Sequence, residues 1–153
     1  MKTLRVEADR LYLQEVLDFV EGEFGKNPLC TRKDILQLHM VVDEIFGNIA
    51  AYAYDGGGGD VEVSVDCDDN DAMLILSFAD SGKPYNPLLN QDPDVTLPVR
   101  ERKVGGLGIF MVKNTMDEIH YENTEGKNRL IMKKCMQTAR KGLNNERKQQ
   151  EGT

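Results

Sequence analysis

Apolar residues recur at Ile35, Leu38, Val42, Ile45, Ile49 and Tyr52, in steps of three and four. That spacing lines up one buried stripe of an α-helix. Thr31 stands where an N-cap belongs, with Asp34 three residues on as the second half of a weak capping box, so a helix is predicted from about residue 31 to about 54. Its length suggests that it crosses the whole sheet. Ahead of it, Asp9 can cap a helix in which Leu13, Leu17 and Val20 keep helical spacing through Phe24, and Gly25-Lys26-Asn27-Pro28 ends that helix. Residues 2–8 partly alternate and read as a first strand. Residues 61–66 alternate strictly, the mark of a strand with one wet face. Residues 73–79 are nearly all apolar and predict a central strand, joined to the previous one by an acidic turn. A third helix is expected from Ile109 to about Met116. Two strands follow, at 118–123 and 129–134, joined through Glu125-Gly126-Lys127.

This order, β-α-α-β-β-loop-α-β-β, gives an α+β fold. It is expected to be a two-layer sandwich, a mixed and mostly antiparallel sheet covered on one face by about three helices. Gly56 to Gly59 break the chain after the long helix. Residues 85–104 are polar, punctuated by proline and without clear periodicity, which at that length inside a compact domain points to a functional loop or lid. One domain is expected over residues 1–136. Residues 137–153, rich in Lys, Arg, Gln and Glu, are expected to form a frayed or disordered tail.

Composition narrows the function classes. The chain has 153 residues, 29% charged and 40% hydrophobic, an ordinary balance for one globular domain. A formal net charge of −7 argues against a general nucleic-acid binder. Cys30, Cys67 and Cys135 are odd in number and lack a CxxC spacing, which fits free thiols in a reducing compartment. No signal peptide and no apolar run near membrane-spanning length is visible, so a cytoplasmic location without a membrane partner is expected.

Three polar stations punctuate the apolar pattern. Glu44 and Asn48, four residues apart, stack on one helix face beside the apolar stripe. A carboxylate next to a carboxamide oxygen suits a hydrated hard cation such as Mg²⁺. Asp80-Ser81-Gly82 follows a buried strand, where the carboxylate can accept a hydrogen bond from an exocyclic amine and the glycine lets a flat ring approach. Gly105-Gly106-Leu107-Gly108 opens a helix, and its unpaired N–H groups offer a phosphate cradle. Each signal alone is weak, the second and third being more often plain turns. Their order, with a lid-length segment between the last two, makes coincidence a poor explanation.

Over residues 4 to 134 the sequence resembles the GHKL ATPases (gyrase, Hsp90, histidine kinases, MutL), and within them most closely the anti-sigma-factor serine/threonine kinases. Glu44 and Asn48 match the Glu-x-x-x-Asn box, and Ala53-Tyr54 its tail. Asp80, Gly82, Pro84, Tyr85, Asn86 and Pro87 match the first glycine box. Gly105-Gly106-Leu107-Gly108-Ile109 match the second, and Gly126-Lys127-Asn128-Arg129-Leu130 resemble the closing hairpin. The resemblance implies ATP and Mg²⁺ as cofactors. Glu44 would orient or deprotonate an attacking hydroxyl, and Asn48 would hold Mg²⁺. Asp80 would bind the adenine amino group with Gly82 near the ring, and Gly105, Gly106, Leu107 and Gly108 would form the phosphate loop. It also implies a small anti-sigma-antagonist-like protein as substrate, with a sigma factor and a second copy of the chain as further candidate partners. A nucleotide-gated binding module without catalysis is the alternative.

Two departures from that branch stand out. Tyr52 occupies a position where the branch often carries His, and the lid's only cations are Arg100, Arg102 and Lys103. Arg100 and Arg102 rank equally as contacts for the γ-phosphate. The two histidines, His39 and His120, are expected to be structural, which argues against a complete sensor histidine kinase. Met40, Met73, Met111, Met116 and Met132 are expected as core filler. The acidic turn 66–71 lacks EF-hand spacing and is expected to be solvated.

Overall fold

A cross-sheet register holds the molecule together. The computed structural model describes residues 1–68, 70, 72–93, 96, 98 and 107–136. Its elements are β1 (Lys2–Glu7), a 3-10 turn (Arg10–Tyr12), α1 (Leu13–Phe24), α2 (Arg32–Tyr52), β2 (Asp60–Asp68), β3 (Met73–Asp80), a second 3-10 turn (Pro87–Leu89), α3 (Leu107–Thr115), β4 (Glu118–Thr124) and β5 (Lys127–Cys135). The strands form one sheet in the order β1-β2-β3-β5-β4, so the apolar strand β3 is central, as its composition predicts. The fold is the α+β sandwich expected. Where the sequence allowed a mixed sheet, all four pairings are antiparallel. The physical reason lies in the connections. β2–β3 and β4–β5 are hairpins, and β5 inserts between β3 and β4, so the strands joined through α3 are never neighbours.

Alternation along the strands puts Val61, Val63, Val65, Leu74, Leu76, Phe78, Leu130 and Met132 into the core with Val16, Val20, Phe24, Leu38, Val41, Val42, Ile45 and Phe46 of the helices. Each such side chain contributes about 1.5–3 kcal/mol by leaving water. The opposite sheet face carries ion pairs such as Arg5–Glu62 and Lys133–Glu118.

α2 occupies the middle of the helical layer, against both α1 and α3. Its start is fixed by a complete capping box. The Thr31 side chain accepts from Asp34 N–H, and the Asp34 carboxylate accepts from Thr31 N–H at 2.9 Å. Asp34 is fully buried, and Lys134 of β5, 1% exposed, reaches to 3.8 Å from its carboxylate. The predicted stripe departs from the structure at one end. Tyr52 is 63% exposed at the mouth of a cavity, while Val41 and Phe46 are buried in its place. No helix of the described residues is long and apolar enough to cross a membrane.

Candidate functional site

Between α2, α3 and the sheet lies a cavity of about 320 Å³. Ile45 and Ile49 of α2, Phe78 of β3, Ile109 of α3 and Leu130 of β5 give it apolar walls, and Asn48, Asp80 and Asn128 supply polar groups among them. A largely apolar slot with a few convergent polar groups suits a flat heteroaromatic ring.

Glu44 and Asn48 meet at the α3 end of the site. Asn48 Nδ2 donates to Glu44 Oε1 at 3.1 Å, which leaves the carbonyl Oδ1 of Asn48 as an acceptor for a cation. The carboxylate of Glu44 lies directly against the Cα of Gly108, so close that a methyl group there would overlap it. The Glu44 carboxylate therefore lies against the first turn of α3, where its charge meets the positive end of the helix dipole. The oxygen donors at Glu44 and Asn48 fit Mg²⁺, which the pair could hold only together with ligand oxygens. No group of three or more His, Cys, Asp or Glu side chains among the described residues could hold a metal by itself.

Asp80 ends β3 and is 8% exposed. Its Oδ1 accepts from Gly82 N–H at 2.9 Å and from Asn128 Nδ2 at 3.0 Å, which leaves Oδ2 as the acceptor available to a ligand in the cavity. The loop after Asp80 is fastened to the end of α2. Lys83 N–H donates to Ala53 O at 2.9 Å, and Ser81 N–H donates to the Tyr54 hydroxyl at 2.9 Å, which in turn donates to Asp60 O at 2.6 Å. Burial pushes the Tyr54 phenol up. The nearby negative charges of Asp80 and Asp60 push the same way, and the Ser81 N–H works against them. The close approach that requires glycine at 82 is to the Ala53 carbonyl, which a side chain would strike. Gly82 is not among the residues that line the cavity, and its lack of a side chain lets the loop pack on the end of α2.

In the described part of the predicted lid, which begins at Tyr85, Asn86 caps the turn at Pro87–Leu89. Lys113 of α3 then holds it, donating to Asn90 O at 3.2 Å and to the Asp92 carboxylate at 2.9 Å. Leu107 and Gly108 form the first turn of α3. Arg100, Arg102, Gly105 and Gly106 lie outside the described residues. His39 sits between α1 and α2 with Nε2 2.9 Å from a Glu21 oxygen, and His120 is exposed beside Glu122; neither lines the cavity.

Sequence reasoning assigned no role at the site to Asn128, Tyr121, Tyr54 or Lys83, although Tyr54 and Asn128 fall within matched motifs. For Asn128 a signal existed. It begins the alternation Asn128, Leu130, Met132, Lys134, whose other members face the core, and a polar residue at such a position needs internal partners.

No curated protein sequence gave a match. The solved structure of Acinetobacter baumannii histidine kinase AdeS is similar at 16% identity, covering 90% of this chain and 70% of that one, with a TM-score of 0.47. The profile of the histidine kinase-like ATPase domain matches residues 6–134, nearly the whole described structure, and the chain belongs to that family of ATP-binding domains.

Proposed function

We propose that the chain is an ATP-dependent serine/threonine protein kinase of the anti-sigma-factor type, acting in the cytoplasm on a small anti-sigma-antagonist-like protein. One observation carries the reading. The Glu44–Asn48 pair is held at the α3 N-terminus, while Asp80 lies across the same cavity. That arrangement suits a ligand with an amine at one end and phosphates at the other.

In this reading Asp80 accepts from the adenine amino group, and the apolar walls exclude water from the ring. The acceptor's hydroxyl oxygen attacks the γ-phosphorus. The bond from that phosphorus to the bridging oxygen breaks, ADP leaves, and the hydroxyl proton passes to the Glu44 carboxylate. Mg²⁺, held by Asn48 and phosphate oxygens, would neutralise phosphate charge. Arg100 or Arg102 would contact the γ-phosphate, with the N–H groups of Gly105, Gly106, Leu107 and Gly108 around it. A sigma factor as second partner and a homodimer through the outer edge of β1 complete the proposal. Support for the dimer is that, among the described residues, β1 pairs on one side only.

The test is incubation with Mg-ATP and candidate antagonist proteins, followed by phosphoamino-acid analysis. Phosphoserine or phosphothreonine is expected, reduced about 10²–10⁴-fold in Glu44→Ala while ATP still binds. ATP binding without transfer to any partner, and partner binding indifferent to Glu44→Ala, would instead identify a nucleotide-gated binding module.

A further inference from the structure

Asn128 is 5% exposed, and its side chain makes five hydrogen bonds to two separate stretches of chain, residues 80–83 and 121–123. Nδ2 faces three acceptors: Asp80 Oδ1 at 3.0 Å, Lys83 O at 3.1 Å and Gly82 O at 3.2 Å. Oδ1 accepts from the Tyr121 hydroxyl at 2.6 Å and from Asn123 Nδ2 at 2.9 Å. A rotated amide would point its oxygen at three acceptors and its NH₂ at a donor, so the surroundings admit one orientation only. Asn128 also stands directly opposite Asp80 in the β3–β5 register, and Asn123 opposite Asn128 in the β4–β5 register. Asp80, Asn128 and Asn123 thus form one polar row across three strands, at the cavity end of a largely apolar sheet face.

From this arrangement we infer that Asn128 is a positioning residue for base recognition. It holds the Asp80 carboxylate by one oxygen, presents the other to the ligand, and fixes the carbonyls of the loop that follows. Tyr121, which lines the cavity, sets the Asn128 amide in turn. The β4–β5 hairpin therefore determines how strictly the site demands an amine on the base. A carboxylate free to rotate could hydrogen-bond water as well as ligand, and the preference for an amino-bearing base would fall. This rests on the proposal that the cavity holds an adenine nucleotide.

The experiment compares binding of ATP with binding of purine riboside triphosphate, which lacks only the 6-amino group, by calorimetry with Mg²⁺ on the full chain. The unaltered protein is expected to favour ATP by about tenfold or more, the size of one hydrogen bond to a charged group. In Asn128→Ala, ATP affinity is expected to fall about tenfold and that of the purine analogue less than twofold, bringing the ratio near one. Tyr121→Phe, which keeps the ring and removes only the hydroxyl, is expected to lower the ratio about threefold, and it serves if Asn128→Ala does not fold. A merely structural role would weaken both ligands equally. An unchanged ratio in the folded variants, with ATP still bound by the unaltered protein, overturns the assignment of Asn128 alone. Binding of neither nucleotide by the unaltered protein overturns the adenine-nucleotide reading with it.

Discussion

The carboxylate of Glu44 occupies the space where a side chain on Gly108 would begin. The two residues are far apart in sequence, one in the middle of α2 and one in the first turn of α3, and their contact sets how closely the helices approach at the site. Gly108→Ala must displace either the carboxylate or the start of α3. Overpacking of this kind costs roughly 1–3 kcal/mol, so the protein should stay folded with a lowered melting temperature. Phosphoryl transfer should fall on the order of 100-fold, the scale set by a displacement of about 1 Å of a reacting group. Melting and single-turnover phosphorylation measured together check this, and undiminished transfer would refute it.

Gly82 is constrained from a different side. Its missing side chain makes room for the Ala53 carbonyl, which is backbone and cannot rotate away. Gly82→Ala should push the Asp80 loop off the end of α2 and weaken the Lys83 N–H to Ala53 O bond of 2.9 Å. Denaturant unfolding should show a loss of about 1–3 kcal/mol. ATP should bind more weakly, while kcat at saturating ATP changes less, because Glu44 and Asn48 lie outside the loop. A kcat loss with normal ATP affinity would contradict this division.

The elements of this fold were legible wherever a period ran long enough. The α2 stripe, the alternation of β2 and the apolar β3 each gave the right element in the right place, and Thr31 with Asp34 marked the α2 start to the residue. Polar residues that work through partners distant in sequence were not legible. Asn128 looks like a turn residue until β5 is paired with β3. Lys134 looks like a surface lysine until Leu74 lies opposite it and Asp34 above it. At Tyr52, helical spacing was followed one step too far, because the stripe opens into the cavity before the helix ends. The Glu44–Asn48 pair was legible because both members share one helix. The contact of Glu44 with Gly108 was not, since nothing local encodes how near α3 comes to α2.

Asp34 serves two purposes, completing the α2 cap and facing the buried ammonium of Lys134. Asp34→Ala removes both. Breaking a buried charge pair from one side costs about 3–5 kcal/mol, far more than the ~1 kcal/mol of an ordinary cap. The double variant Asp34→Ala, Lys134→Met should recover much of the loss, since neither member of the buried pair is then left facing an empty place. Urea unfolding of the two single variants and the double one forms the test cycle. Strictly additive losses would show that the 3.8 Å approach carries no coupling.

Alkaline pH should act on stability through Cys30 and Tyr54. Burial pushes the Cys30 thiol from 9.0 up to about 11, with Asp34 and Cys67 adding to the rise and Lys134 opposing it. Burial likewise raises the Tyr54 phenol above 10.0. In both cases the folded state holds a proton that the unfolded chain has already released. The unfolded state binds fewer protons, so unfolding free energy decreases as pH rises. The Cys30 contribution is therefore complete below pH 9 and is lost as pH climbs through about 11, while that of Tyr54 is complete below pH 10 and is lost only above it. Loss of the Tyr54 proton also removes its 2.6 Å bond to Asp60 O. Unfolding measured at closely spaced alkaline pH values should show this decline. Cys30→Ala should flatten the part that begins at pH 9, and Tyr54→Phe the part above pH 10. A decline in both variants as steep as in the unaltered protein would assign the alkaline loss to other groups.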